Sequence, residues 1–348
     1  MLFDLCVVLI LIIVSSEIVT SFGRSRFQPC NPSNKYTPKM PNYDMYNLRI
    51  SERKCKEYQW KMDEREQIKK HSCNKRYFVI RGQRTKPSEY PHMGALGWMT
   101  FDKSWIFLCG SSLISEKFVL TAAHCTKTKS VAVKYVHPKI VRLGVIDIYD
   151  LSNETPVDVG IKSIRRHPRY GAPKKYYDIA LLELKTKIEF TKFVHPACLL
   201  SKPVISPDKE LTVTGWGAFD KNQKSFSHKL LYAKLDLFHR KLCDDSVLKN
   251  RNWWGTSNQQ LCAGKADGSV DTCFGDSGGP LQYKLYETKK EGTMHMVVGI
   301  TAFGSTKCAQ KNIPGVYTNV TPFIDWIEKH VWPGEWNVEK YSRIVFRD

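Results

Sequence analysis

Cysteine usage constrains this chain more than any other feature. There are eleven cysteines, and Cys6 lies inside an unbroken apolar run over residues 5–14. That run falls short of the roughly 20 residues a bilayer span needs. It has the form of a secretory signal core, with Ser16 and Ser21 as small residues for cleavage, so residues 1–21 are expected to be a signal peptide. Asp4 departs from the pattern, because a basic residue usually precedes the apolar run. Removing the signal leaves ten cysteines, an even number, as a disulfide framework in an oxidising compartment requires. No CxxC pair, HExxH or GxxxxGK[ST] occurs, which argues against a zinc ribbon, a zincin and a P-loop. The chain is therefore expected to be secreted and extracellular, with no membrane span and no metal or other cofactor.

Two regions differ in texture. Residues 22–78 hold Cys30, Cys55 and Cys73, early prolines and a charged stretch. Within it, 52–70 is expected to be helical, with Glu57/Lys61 and Glu66/Lys70 at i,i+4 spacing. So polar a segment carries no large core of its own and reads as a pro-region stapled by cysteines. From Val79 onward, short apolar runs such as 118–120, 211–213 and 296–298 are cut by Gly and Pro, the pattern of an all-β barrel or sandwich. One amphipathic helix is expected from Thr321 to Val331, with Phe323, Ile324, Ile327 and Val331 on one face and Pro333-Gly334 ending it. Residues 332–348 form a tail.

Three segments carry chemistry: Thr121-Ala122-Ala123-His124-Cys125, Asp178-Ile179-Ala180-Leu181-Leu182 and Gly275-Asp276-Ser277-Gly278-Gly279-Pro280. They supply His, Asp and Ser in that order. A serine hydroxyl is a weak nucleophile until an adjacent imidazole takes its proton, and a carboxylate fixes that imidazole's tautomer. Glycines beside the serine let backbone N–H groups converge on an oxyanion. The glycine–serine motif also fits the elbow of α/β-hydrolases, but that fold needs the order Ser, Asp, His. After Ser277 the only such pair is Asp325 and His330, five residues apart on one expected helix, and the alternating βα pattern is missing.

On these motifs the chain from Val79 to Val331 resembles the trypsin/chymotrypsin-like serine protease family. Lys54-Cys55-Lys56-Glu57-Tyr58, Glu89-Tyr90-Pro91-His92-Met93-Gly94-Ala95-Leu96-Gly97-Trp98 and Phe303-Gly304 extend the likeness to the secreted arthropod proteases of the snake type. The resemblance implies two antiparallel β-barrels with a C-terminal helix. A protease domain would span 79–331, preceded by a short disulfide-tethered pro-region, 22–78, that lacks an intact clip domain. It implies His124 as general base, Asp178 as its orienter and Ser277 as nucleophile, with the N–H groups of Gly275 and Ser277 as oxyanion hole. Asp271 would floor the specificity pocket for Arg or Lys, and Gly304 and Gly315 would wall it. The implied disulfides are Cys109–Cys125, Cys243–Cys262 and Cys273–Cys308. Cys73 is favoured as partner of Cys198, leaving Cys30 with Cys55, although sequence alone leaves these pairings open.

The resemblance also implies a zymogen in which a new N-terminus at Val79 pairs with Asp276. Here the chain departs from the family, since Phe78 stands where an Arg is usual. Activation by a chymotrypsin-like enzyme and no activation at all both stay open. The first reading is a secreted endopeptidase of a proteolytic cascade, saliva or venom. Its partners would be Arg/Lys-containing protein substrates, an upstream activating protease and a serpin-type inhibitor. The alternative is a silent, locked zymogen that works as a binding protein. Ala302 and Phe303 replace the family's usual Ser and Trp, and Val145 replaces the Glu that opens a calcium loop. Asn153 and Asn319 head candidate glycosylation triplets. The formal charge of +19 is spread along the chain, so a solvated surface is favoured over polyanion binding, which would be weak.

Overall fold

The structure is a computed structural model. It describes residues 38–71, 88–149, 156–217, 227–247, 252–267, 276–304 and 314–336. The chain divides into two compact units, one of 38–67 with 79–348 and the other of 1–37 with 68–78. Of the latter only 68–71 are described, as the last turn of a helix. No helix among the described residues is long and apolar enough to cross a membrane. The signal segment, the Phe78–Val79 junction, Cys30, Cys73, Asn153, Asp271, Cys273, Gly275 and Cys308 all lie outside the described residues.

The short apolar runs fold as strands. β1 (Met93–Met99), β2 (Trp105–Leu113), β3 (Phe118–Thr121), β4 (Ile140–Leu143), β5 (Val157–Arg166) and β6 (Ala180–Leu184) close a barrel in the order β1-β2-β3-β6-β5-β4. The second sheet contains β7 (Cys198–Leu199), β8 (Leu211–Gly215), β9 (Leu231–Phe238), β10 (Gln260–Gly264), β11 (Pro280–Thr288), β12 (Gly292–Phe303) and β13 (Gly315–Asn319). Its order is β11-β8-β9-β10-β13-β12-β7, and a further pairing of β11 with β12 closes six of these strands into a ring. The first set is closed, and in the second the two-residue β7 lies outside the ring, paired with β12 alone. Strand β6, Ala-Leu-Leu-Glu-Leu, is buried except at Glu183, so its core face and its shielded outer face are both apolar.

The C-terminal helix forms as the periodicity predicts. A 3₁₀ turn, Thr321–Phe323, leads into helix Ile324–Val331, and Phe323, Ile324, Ile327 and Val331 are buried in the core of the first barrel. Pro333 does not end helical structure. A bend at Trp332 is followed by a further helical turn at 333–336, because proline fits the first turn of a helix, where its missing N–H costs nothing.

The N-terminal helix, here α1 (Ile50–His71), is longer and better anchored than its polarity predicts. Ser51, Cys55, Tyr58, Met62 and Glu66 are all buried and recur at helical spacing, so one narrow stripe faces the β-rich body. Tyr58 donates to the carbonyl of Ile114 at 3.1 Å. Cys55 is bonded to Cys198 and shares an apolar cluster with Tyr58, Met62 and Met294. This corrects two expected disulfides: Cys198 pairs with Cys55, not Cys73, so Cys55 is not available to Cys30. The reason is geometric: Cys55 lies on the buried stripe of α1, which brings its Cα within 5.1 Å of that of Cys198. The expected Glu57/Lys61 pair gives way as well. Glu57 binds Lys54 at 3.0 Å, and Lys61 reaches Glu116 at 3.4 Å.

Charged groups complete the docking. Glu328, 1% exposed, accepts from Arg49 Nε and Nη2 at 3.0 Å and from the N–H of Ser51 at 2.8 Å. Arg65 Nε donates to the buried Glu291 at 2.6 Å. Arg53 and Lys54 both bind Glu335 beyond the C-terminal helix, at 3.0 and 2.7 Å.

Candidate active site

The site is assembled where the two barrels meet. After β3 the chain passes buried Ala122 into a 3₁₀ turn, Ala123–Thr126, in which Ala123 and Cys125 are buried while His124 remains partly open. The backbone N–H of His124 donates to Asp178 Oδ1 at 2.8 Å, and His124 Nδ1 lies 2.7 Å from Asp178 Oδ2. One carboxylate thus fixes both the main chain and the ring of the histidine. Asp178 is 2% exposed, which keeps water from competing for its oxygens. The residue before it, Tyr177, has φ 56°, a left-handed conformation unusual for a large side chain. Such a conformation costs on the order of 1–3 kcal/mol and persists where packing enforces it. Here the Tyr177 ring stacks on His167 at 5.2 Å, and its carbonyl accepts from the N–H of Ile179 at 2.8 Å. Thr318 Oγ1, from β13 of the second barrel, donates to the carbonyl of Asp178 at 3.0 Å.

Ser277 sits on a turn bonded to both barrels. Its carbonyl accepts from the N–H of Gly110 in β2 at 2.9 Å, and the N–H of Gly278 donates to the carbonyl of Thr301 in β12 at 2.9 Å. Gly278 has φ +79°, and a Cβ there would stand 2.2 Å from Thr121 Oγ1 and 3.0 Å from Cys125 Sγ. That same sulfur lies 3.6 Å from His124 Nε2, so the serine turn packs against the disulfide next to the imidazole's free edge. Cys109–Cys125 is formed, as is Cys243–Cys262. The sulfurs of Cys109 and Cys125 cluster with His124. Bonded to each other, they offer no thiolate to a metal.

The Asp276 carboxylate lies against Gly215 and Gly217. The N–H of Gly217 donates to its Oδ1 at 3.1 Å, and a Cβ at Gly215 would fall 2.1 Å from that oxygen. Gly215 and Gly217 are therefore residues of the site that sequence reading passed over, although Thr214-Gly215-Trp216-Gly217 carries the glycine pair in plain view. Gly304 and Gly315 face each other, with a Cβ on Gly304 only 3.7 Å from the Gly315 Cα. Val145, where a calcium loop would begin, lies in an apolar cluster with Tyr90, Met93 and Trp216. Asn319 ends β13, and its Oδ1 accepts from the N–H of Thr321 at 3.2 Å.

Comparison with known proteins agrees with this geometry. Residues 79–327 match the family model described as Trypsin. The chain is 38% identical over 256 residues to the serine protease snk of Drosophila melanogaster, covering 72% of this chain and 56% of that protein. It is 36% identical over 263 residues to the serine protease Hayan of the same species, covering 73% of this chain and 39% of that protein. The proclotting enzyme of Tachypleus tridentatus is 34% identical over 228 residues, covering 64% of this chain and 58% of that protein. The chain thus spans about half the length of these curated relatives.

Proposed function

The chain belongs to the trypsin family, and from that premise we propose that it is a secreted serine endopeptidase, made as a zymogen, that cleaves after Arg or Lys in an extracellular proteolytic cascade. The observation that carries this reading is the His124–Asp178 pair at 2.7 Å beside a serine turn bonded to both barrels. His124 Nε2 takes the proton of Ser277 Oγ as the hydroxyl attacks the substrate carbonyl. Asp178, acceptor at Nδ1, holds the tautomer that leaves Nε2 basic and stabilises the imidazolium that forms. His124 then gives the proton to the leaving amine, and a water molecule repeats the sequence to release the acyl group. The N–H groups of Ser277 and Gly275 receive the negative oxygen; losing one such donor typically costs roughly 10²–10³ in rate.

Specificity follows from Asp271 as a carboxylate for a basic side chain, with Gly304 and Gly315 leaving the pocket unfilled. Activation by an upstream protease frees Val79, whose ammonium joins Asp276 beside Gly217. The relatives named as a proclotting enzyme and as phenoloxidase-activating factors support a cascade role. The test is to cleave the secreted protein before Val79, sequence the new terminus and assay peptides with Arg or Lys at the cleaved bond. Turnover that disappears in Ser277→Ala upholds the reading. A Val79 terminus without hydrolysis overturns it.

A further inference from the structure

The segment leading to Asp178 has an unusual composition. Residues 165–177 read Arg-Arg-His-Pro-Arg-Tyr-Gly-Ala-Pro-Lys-Lys-Tyr-Tyr, with five Lys or Arg and no acid. Three of these cations lie on aromatic faces. Arg169 Cζ is 5.7 Å from the Tyr177 ring centre, Lys174 Nζ 5.8 Å from that of Trp254, and Lys175 Nζ 5.5 Å from that of Phe303. None of the three forms an ion pair with a carboxylate among the described residues. Asp244, an acid on the facing segment, has Oδ1 occupied by the N–H and Oγ1 of Thr256 at 2.6 and 2.8 Å.

The aromatic platform is itself fixed. Tyr176 stacks on Trp254, ring centres 6.1 Å apart and 9° from parallel, and its hydroxyl accepts from the Trp254 N–H at 2.8 Å while donating to the Gly255 carbonyl at 2.9 Å. Gln260 Nε2 donates to the Lys175 carbonyl at 2.9 Å. Buried Trp253 meets Phe303 edge-on at 5.5 Å. Trp254 is 67% exposed, a large aromatic face left to solvent on an otherwise rigid mount. A cation on an aromatic face keeps its outward side open for an anion.

The cluster adjoins the catalytic groups. Lys175 is three residues from Asp178, at most about 11 Å of extended chain. Phe303 is two residues beyond Thr301, which anchors the serine turn, and directly precedes Gly304. The side chain entering a pocket walled by Gly304 belongs to the acyl half of a substrate, so that half runs past Phe303. Pairing of β11 with β12 ends at Ile300 and the backbone of Thr301 is bonded to Gly278 and Gly279, whereas β13 pairs with β12 as far as Phe303, leaving room beside 302–303 for an extended peptide.

We propose that Arg169, Lys174 and Lys175, mounted on Tyr177, Trp254 and Phe303, form a specificity site for acidic side chains on the N-terminal side of the cleaved bond. The site rests on the endopeptidase reading above and names its preferred substrate class: a basic residue preceded within about four positions by Asp or Glu. Charge-assisted contacts on this exposed rim would act through both affinity and encounter rate, so the preference weakens as salt rises.

The test uses peptides with Arg before the cleaved bond and Asp, Ala or Lys at the second to fourth positions before it. Wild-type enzyme should favour the Asp series over the Ala series by about tenfold in kcat/KM at low salt, with the Lys series poorest. The ratio should approach one in the double variant Lys174→Ala/Lys175→Ala and invert in Lys174→Glu/Lys175→Glu, while Lys284→Ala, outside the cluster, keeps it. Cleavage of all three series with equal efficiency overturns the inference and leaves the endopeptidase reading intact. If no Arg peptide is cleaved, the endopeptidase reading fails, and the same peptides are titrated against full-length Ser277→Ala by tryptophan fluorescence. Tighter binding of the Asp series upholds the acidic site; equal binding overturns it.

Discussion

The carboxylate of Asp276 and the backbone N–H of Gly217 are 3.1 Å apart, and a side chain at 217 would enter that carboxylate. An added Cβ would lie 2.6 Å from the Asp276 Cγ. Gly217→Ala should therefore displace Asp276 and, through the next peptide bond, the Ser277 N–H. Loss of about 10² in kcat/KM is expected, the size of a lost oxyanion donor. Thermal melting should move little, so activity and stability measured side by side check the account.

Asp178 accepts from both the main chain and the ring of His124. Asp178→Asn keeps the shape and reverses one hydrogen bond, so the ring takes the wrong tautomer. A fall of about 10⁴ in kcat is expected, as in chymotrypsin-type triads. Burst kinetics with an active-site titrant would show slow acylation with the serine still present.

Cys55 and Cys198 close a loop of 143 residues. Removing both as serines should destabilise the protein by about 3–5 kcal/mol, the upper range for a long loop. Helix α1 should nevertheless stay bound after cleavage before Val79, because Glu328 and Glu291 keep their arginine partners. Arg49→Ala added to that variant should release it, since a buried carboxylate left with less compensation is costly. Size-exclusion chromatography of the cleaved protein distinguishes the two variants.

His92 and His195 are buried, and burial lowers their pKa values to about 4 and about 3. His295, ring centre 5.2 Å from that of His92, is held well below its ordinary value by the same cause. The unfolded chain binds these protons near pH 6.5 while the folded chain does not, so stability is full above that pH and falls as pH drops toward 4. Each histidine contributes a slope of up to about 1.4 kcal/mol per pH unit. His92 alone accounts for about 3 kcal/mol by pH 4. Urea unfolding at several pH values between neutral and 4.5 should show this loss, with a shallower slope in His195→Phe.

The His124–Asp178 pair and the serine turn were legible because each sits in a segment whose neighbours have their own structural tasks. Ala122 and Ala123 are buried under His124, and Gly278 fills a space no side chain could share. The strands were legible as apolar runs, and the C-terminal helix as a wide apolar face. The docking of α1 was not, because its buried stripe contains a serine, a cysteine and a glutamate among its five residues and so lacks an apolar signature. The partner of Cys198 was hidden for the same reason. Gly217 and the strained Tyr177 escaped notice because their importance lies in distant backbone partners, which spacing along the chain does not encode.

The serine turn is bolted at its carbonyl to β2 and at the following N–H to β12. It follows that neither half of the molecule holds the whole site. A fragment ending near residue 200 keeps the imidazole and its carboxylate yet lacks the hydroxyl, and the complementary fragment loses the strand that steadies that hydroxyl. Rotating one half a little against the other would part the serine turn from the His124–Asp178 pair with the cleft still empty.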